Sequence, residues 1–275
     1  MKPSRKVIFL GWIKDGSVAD DGESMKNQLC ISRLEELGVK CYKVDTFHWK
    51  RHKLKSFALP WLMLAHPRAS LVFSSSAQNI YPLMSILRFL PLRPRLVHWV
   101  IGGSLADRIK NGMFKLNVIN VADWTLVESP KLVSDLSALG VRNVLEVPNF
   151  KPVPLIESIP KESGAMRFVF LSRIMAEKGC EYILDCARIL NDRGLSDKYH
   201  VDFYGPVDDS FKDVFYGKMN GLDNVNYKGF LDLRSIAGYE SLSSYDMMLF
   251  PTYWRGEGFA GVFIDAFIAG LPVIA

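Results

Sequence analysis

FPTYWRGEGFAGVFIDAFIAGLPVIA (residues 250–275) carries the punctuation that decides how this chain folds. A strand ends at Pro251-Thr252, and a turn rich in glycine (Gly256, Gly258, Gly261) follows. An apolar helix is predicted over residues 261–269 and a further strand over 271–275. Strand, glycine turn, helix and strand in that order make one βαβ unit. Glycines let the backbone approach a ligand closely. The helix N-terminus offers unpaired N–H groups and a favourable dipole, so the turn is a cradle for an anion such as phosphate. Two acids flank it, Glu257 in the turn and Asp265 in the helix. Carboxylates beside a phosphate repel it unless they point at neutral hydroxyls, and sugar or ribose hydroxyls are the groups to expect there.

The same alternation runs outward from this segment. Residues 6–12 (KVIFLGW) read as a first strand, apolar after its first residue, as befits a strand buried on both faces. A helix is predicted from residue 24 to 37, with Met25, Leu29, Ile31, Leu34 and Leu37 inward and Gly38 as its stop. Strands follow at 39–44, 69–74, 95–101, 124–128 and 143–147, with helices at 50–66, 81–90 and 130–139 between them. Residues 151–165 (KPVPLIESIPKESGA) hold three prolines and neither period, which suits a linker. Beyond it the alternation restarts, with strands at 167–171, 200–204, 225–227 and 247–250 and helices at 181–190, 210–219 and 233–243. The expected fold is α/β: two Rossmann-like, doubly wound parallel-sheet domains, residues 1–150 and 166–275. Ligands of such sheets bind beyond the carboxyl ends of the strands, which puts the loops after Trp12, Ser74, Ile101 and Glu128 on the functional rim. The second domain is the shorter, and LPVIA reads as a strand still running, so it is expected to be incomplete.

Composition narrows the classes. The 275 residues are 49% hydrophobic and 23% charged with a net charge of +5, an ordinary globular balance too mildly basic to argue for nucleic acid. No apolar run reaches the roughly 18–20 residues that span a bilayer. The start, MKPSRKVIFLGW, has too short an apolar run for a signal peptide. Cys30, Cys41, Cys180 and Cys186 contain no CxxC pair, so reduced thiols and a cytoplasmic location are expected. His48 and His52 stand four apart, but HWKRH lacks the glutamate of a zinc-protease helix, and no metal site is assigned.

EGFAGVFIDAFIAGLPV (257–273) resembles the E-x7-E signature of GT-B glycosyltransferases, above all the large retaining family 4. The resemblance implies that Glu257 contacts the donor sugar. It further implies that Gly258, Phe259, Ala260 and Gly261 line the donor, and that Asp265, one methylene shorter than the family's glutamate, holds the ribose hydroxyls. FLSRIMAEKGCEYILDCARIL (170–190) resembles the family's strand-R-x4-K-G-helix pattern, which places Arg173 and Lys178 on the donor diphosphate. A forked guanidinium and a mobile ammonium suit that charge. YKGFLD (227–232) resembles the segment whose loop, with Phe230 and Leu231, lies against the nucleobase, and Gly205 resembles a glycine that ends the preceding strand. In the first half, DDGESMKNQLCISRLEELG (20–38) resembles the family's first loop and helix, with Gly22, Glu23, Ser24 and Asn27 as candidates on the acceptor side. Helix capping is the other reading of those four. Gly102 stands where many members carry a histidine, His98 is read as pointing into the sheet without a catalytic role, and Glu128, Ser129 and Asn149 resemble recurring positions near the cleft.

Membership would imply transfer of a sugar from a nucleoside-diphosphate sugar with retention, the leaving diphosphate stabilised by Arg173, Lys178 and a helix N-terminus. No cofactor is expected beyond the donor. No metal is expected either, since the chain has no Asp-x-Asp. The missing histidine is tolerable if the departing phosphate oxygen takes the acceptor's proton. An inactive fragment that binds nucleotide-sugar without transfer is the main alternative. A Rossmann oxidoreductase lacks its GxGxxG after the first strand, and the motif order argues against a phosphorylase or epimerase. For the acceptor, a glycan or lipid-linked molecule, the only clue is KRHKLK (50–55) running into FALPWLMLA (57–65). That stretch resembles an interfacial element at the cytoplasmic membrane face, with Arg88, Arg93 and Arg95 adding charge. A core helix with a charged first turn is the competing reading.

Overall fold

In the computed structural model, described over residues 5–15, 22–47, 58–90, 94–156, 164–254 and 256–275, every strand pairing is parallel. His48, His52, the basic run 50–55, Arg93 and part of the linker lie outside the described residues. The chain divides into two compact units, Met1–Phe150 with Gly256–Phe259, and Lys151–Arg255 with Ala260–Ala275.

The first unit holds strands β1 (Lys6–Gly11), β2 (Lys40–Asp45), β3 (Ser70–Ser75), β4 (Leu96–Val100), β5 (Trp124–Val127) and β6 (Val144–Glu146) in the order β2-β1-β3-β4-β5-β6. Helices α1 (Gly22–Glu36), α2 (Ala58–Ala65), α3 (Ala77–Leu87), α4 (Leu105–Lys110), α5 (Leu116–Ile119) and α6 (Pro130–Ala138) connect them. β1 is buried from Ile8 through Gly11, because helices cover both of its faces. On one face Ile8 and Leu10 join Leu71, Phe73, Ile80, Met84 and Leu96, and on the other Phe9 packs with Ile31 and Trp99.

The second unit holds β7 (Met166–Leu171), β8 (Tyr199–Tyr204), β9 (Val225–Gly229), β10 (Met247–Leu249) and β11 (Val273–Ile274) in the order β11-β10-β7-β8-β9. Its helices are α7 (Cys180–Asp192), α8 (Lys212–Met219), α9 (Ile236–Ser243) and α10 (Gly261–Ile268). Phe170, Phe203, Phe215 and Phe250 fill one side of this sheet, and Val169, Leu242, Met248 and Ala266 the other.

The structure departs from the sequence reading at three elements. Leu37 is 64% exposed rather than inward, and Ile31, buried as expected, is joined in the interior by Ser24, Lys26, Asn27 and Cys30. α3 begins at Ala77, four residues before its expected start, with the exposed Pro82 inside it, where a proline cannot donate the helical N–H bond to the carbonyl four residues back. α4 and α5 were not expected at all, being too short to carry a helical period.

In each sheet the strand order reverses once, between β1 and β3 in the first and between β7 and β10 in the second. Open α/β sheets bind ligands at the carboxyl ends of the strands that flank such a reversal. The two loops that matter most in the second unit therefore follow β7 and β10.

Candidate functional site

The loop after β7 runs through Ser172 and Arg173 to a single 3-10 turn, Ala176–Lys178, and enters α7 through Gly179. Arg173 is exposed, and its charge adds to the Ser210 hydrogen bonds that hold the Asp208 carboxyl below the usual range. Lys178 is half-buried, its Nζ 5.2 Å from the centroid of the Phe250 ring. The loop after β10 is sewn to this one. Tyr253 N–H donates to the Glu177 carbonyl at 2.9 Å, and the Thr252 hydroxyl donates to the same oxygen at 3.2 Å. Gly179 makes the approach possible. Its φ of +76° is left-handed, and a Cβ there would overlap the Pro251 carbonyl oxygen. Arg173 and Lys178 thus share the one loop that leads from β7 into α7, and the N-terminus of a helix such as α7 favours an anion.

Gly205 follows β8, its N–H donating to the Gly229 carbonyl at 2.7 Å. Phe230, next along from β9, is 61% exposed, and Leu231 packs against the core on the Val169 side. Ala260 caps α10 without a side-chain hydrogen bond, and Gly261 opens it. Asp265 lies one turn further in and is only 3% exposed. Its Oδ1 accepts from the Tyr239 hydroxyl at 2.7 Å, and its Oδ2 is bound by the ammonium of Lys151. Burial and the adjacent Asp265 charge push the Tyr239 hydroxyl pKa up, so it stays the proton donor of that bond. The carboxylate expected to meet ribose is therefore engaged by two side chains of its own unit.

In the first unit the candidates separate into scaffold and rim. Asn27 is fully buried and ties the two strands at the reversal together. Its Nδ2 donates to the carbonyls of Trp12 (3.1 Å) and Ser74 (3.3 Å), and its Oδ1 accepts from the Ser74 hydroxyl at 2.5 Å. Ser24 is buried beside it, Glu23 is half-buried, and Gly22 is the exposed first residue of α1. His98 has no exposed surface, as its reading into the sheet anticipates, and burial pulls its pKa down to about 4, so the ring is neutral at pH 7.

Gly102, Glu128 and Asn149 converge on the turn Gly256–Phe259, which packs within this unit. A Cβ on Gly102 would stand 3.1 Å from the Gly256 carbonyl, which accepts from the Gly103 N–H at 3.0 Å. Glu128 Oε2 accepts from the Phe259 N–H at 3.1 Å, and Asn149 Nδ2 donates to the Phe259 carbonyl at 3.3 Å. Glu257 sits between these anchors, half-buried. The sequence reading missed the partner of Glu128. Lys26, 4% exposed, bonds Glu128 Oε1 at 2.5 Å and lies 4.5 Å from the Trp99 ring centroid. The available signal was a lysine one helical turn before the buried Cys30, on the inward face of α1.

The family described as Glycosyl transferases group 1 matches residues 165–275. No curated protein gives a significant sequence match. Among solved structures, the lipopolysaccharide outer core galactosyltransferase WaaB is similar over 98% of this chain and 79% of its own, at 13% identity and a TM-score of 0.64. Anabaena HepE, solved with UDP and glucose, is similar over 98% and 80%, at 16% identity and a TM-score of 0.61. S. aureus TarM, solved with UDP among its ligands, is similar over 74% of this chain at 15% identity and a TM-score of 0.57, and this chain spans only 40% of TarM's length. At such identities these likenesses establish a shared fold, the GT-B arrangement of two parallel-sheet domains.

Proposed function

We propose that this protein transfers a sugar from a nucleoside-diphosphate sugar to a glycan or lipid-linked acceptor, a reading supported by the match of residues 165–275 to the glycosyl transferases group 1 family and by the shared GT-B fold. The observation that supports the reading is that the β7 loop, which carries Arg173 and Lys178 and leads into α7, lies at the strand reversal of the second sheet. A diphosphate leaving group gathers negative charge as its bond to the sugar breaks. A guanidinium, an ammonium and a helix N-terminus stabilise that charge without reorganising. In this reading Glu257 contacts the sugar, and Phe230 and Leu231 flank the base. Asp265 accepts from ribose hydroxyls through lone pairs left by Lys151 and Tyr239, since a carboxylate offers about four acceptor sites. The chemistry is retaining and needs no metal, the departing phosphate oxygen taking the acceptor's proton. HepE and TarM, each solved with UDP, make uracil the first base to try.

The test is thermal unfolding with UDP-, GDP-, ADP- and dTDP-sugars. A ligand at 100 times its dissociation constant adds about 2.7 kcal/mol to the folded state. One nucleotide class should stabilise the chain. Glu257→Ala should abolish transfer with folding intact, and Arg173→Ala should weaken diphosphate binding far more than nucleoside binding. A fully active Glu257→Ala enzyme would overturn the assignment.

A lipid-linked acceptor is supported by exposed apolar side chains on α2 (Trp61 66%, Leu64 82%) and at the end of α3 (Ile86 63%, Phe89 72%), with the Arg88 guanidinium 4.4 Å from the Phe89 ring centroid. Among the described residues no helix is long and apolar enough to cross a membrane, and the contact proposed is an interfacial one. Wild-type protein should co-sediment with anionic phospholipid vesicles, and Trp61→Ser with Leu64→Ser should not.

A further inference from the structure

Lys26 and Glu128 form an ion pair with side chains only 4% and 8% exposed, between the inward face of α1 and the residue that follows β5. Taking two ions out of water costs several kcal/mol each, and apolar residues of similar volume hold such a place at least as well. The pair therefore calls for a reason other than stability. Its geometry supplies one, because Lys26 occupies only Oε1, and Oε2 reaches out to the main chain of the turn Gly256–Phe259.

Three of the contacts among the described residues hold the backbone of that turn. Gly103 N–H binds the Gly256 carbonyl at 3.0 Å, Glu128 Oε2 binds the Phe259 N–H at 3.1 Å, and Asn149 Nδ2 binds the Phe259 carbonyl at 3.3 Å. The Asn149 amide is itself oriented, since its Oδ1 accepts from the Phe150 N–H at 3.0 Å. The fit is close at Gly258, where a Cβ would stand 2.6 Å from Glu128 Oε2. Of the three anchors only Glu128 is charged. A carboxylate accepting from a main-chain N–H in a buried setting makes one of the stronger hydrogen bonds available to a protein.

We propose that Glu128, held and neutralised by Lys26, is a positioning residue that fixes the main chain of the turn Gly256–Phe259 and with it Glu257, the residue read above as meeting the donor sugar. The inference rests on the functional reading above, in which Glu257 meets the sugar. Neither Lys26 nor Glu128 touches the donor. Their effect reaches it through the Phe259 peptide, two residues from Glu257.

The decisive variant is the double substitution Lys26→Met with Glu128→Leu, which removes both charges together and leaves no buried ion unpaired. Two measurements are read on the full chain. The first is amide hydrogen exchange at Phe259, which needs no ligand. The second is the affinity gain of the nucleoside-diphosphate sugar over the bare diphosphate, using whichever of the UDP, GDP, ADP and dTDP pairs stabilises the wild type. The variant should unfold near the wild-type temperature, exchange the Phe259 amide at least about tenfold faster, and lose about tenfold of the sugar-specific gain. Affinity for the bare diphosphate should not change, which a merely structural lesion would not spare. Lys26→Arg should retain both properties. Gly258→Ala disturbs the same contact without altering either charge, and should lower the same gain should the double variant fail to fold. A folded double variant with wild-type exchange and wild-type gain overturns the proposal, as does a Gly258→Ala protein that binds nucleotide-sugar like the wild type. If Glu257→Ala also leaves the gain intact, the functional reading fails instead, and exchange at Phe259 still reports whether the clamp exists.

Discussion

Replacing Gly179 by alanine tests the loop architecture at the strand reversal of the second sheet, and its cost can be worked from the geometry. The φ of +76° is the first contribution, about 1 kcal/mol for an L-residue forced into the left-handed region. The new Cβ would lie 2.8 Å from the Pro251 carbonyl carbon and 2.9 Å from its Cγ. Carbon atoms settle at about 3.5–4.0 Å, so the β10 loop must retreat by roughly 0.7 Å or more. That retreat strains the two hydrogen bonds which Tyr253 N–H and the Thr252 hydroxyl give the Glu177 carbonyl, at about 1 kcal/mol each. The sum is about 3 kcal/mol. Gly194→Ala is the control, because Gly194 has nearly the same φ, +74°, and nothing within 4 Å of its would-be Cβ, so it bears the strain alone. Urea unfolding should show a midpoint for Gly179→Ala lower than for Gly194→Ala by the equivalent of about 2 kcal/mol at an unchanged m-value. Diphosphate affinity should fall in Gly179→Ala and hold in Gly194→Ala. Equal midpoints for the two variants would refute the claim that the β7 and β10 loops are held in contact by a missing Cβ.

Two further outcomes are expected. Lys151→Met removes the ammonium from the buried Asp265 and leaves the Tyr239 hydroxyl on it, and should lower stability by about 2 kcal/mol in the same urea assay, whereas an unchanged midpoint would show that the ammonium does not engage Asp265. His98, with its folded pKa pulled down to about 4 against an ordinary 6.5, binds its proton in the unfolded chain first. Stability should therefore rise with pH between about 4 and 6.5 and be lost as pH falls through that window, by at most about 3 kcal/mol. His98→Leu should flatten that part of the profile, and a slope that survives it would assign the effect elsewhere.

Most of the architecture is legible in the chain because parallel strands buried on both faces read as unbroken apolar runs, as VIFL in β1 and FVFL in β7 do. The long helices follow from their stops. α4 and α5 escape because six and four residues complete barely a turn or two, too few for a period to register. Leu37 misleads because the residue before a terminal glycine satisfies the apolar count, while the inward face of α1 is spent on Lys26 and Asn27. The candidate site was legible as residue types and not as partnerships. Asp265 was visible as an acid, but Lys151 stands 114 positions before it. Glu128 was visible, but Lys26 stands 102 positions away. No local pattern encodes a pair of that kind, since its partners are brought together only by the winding of the sheet.

The inclusion of Gly256–Phe259 in the first unit has a consequence for the order in which the protein is made. Glu128 and the Phe259 N–H that it holds are separated by 131 positions. During synthesis at roughly 5–20 residues per second, a ribosome that has released Phe150 needs on the order of ten seconds more before residue 259 exists. Throughout that interval the nascent first unit carries every strand of its sheet but lacks the turn that its Glu128 carboxylate receives, and Lys26 is what keeps that oxygen-bearing group from standing alone in the interior. Completion of the first unit, its turn Gly256–Phe259 included, thus waits on translation through most of the second.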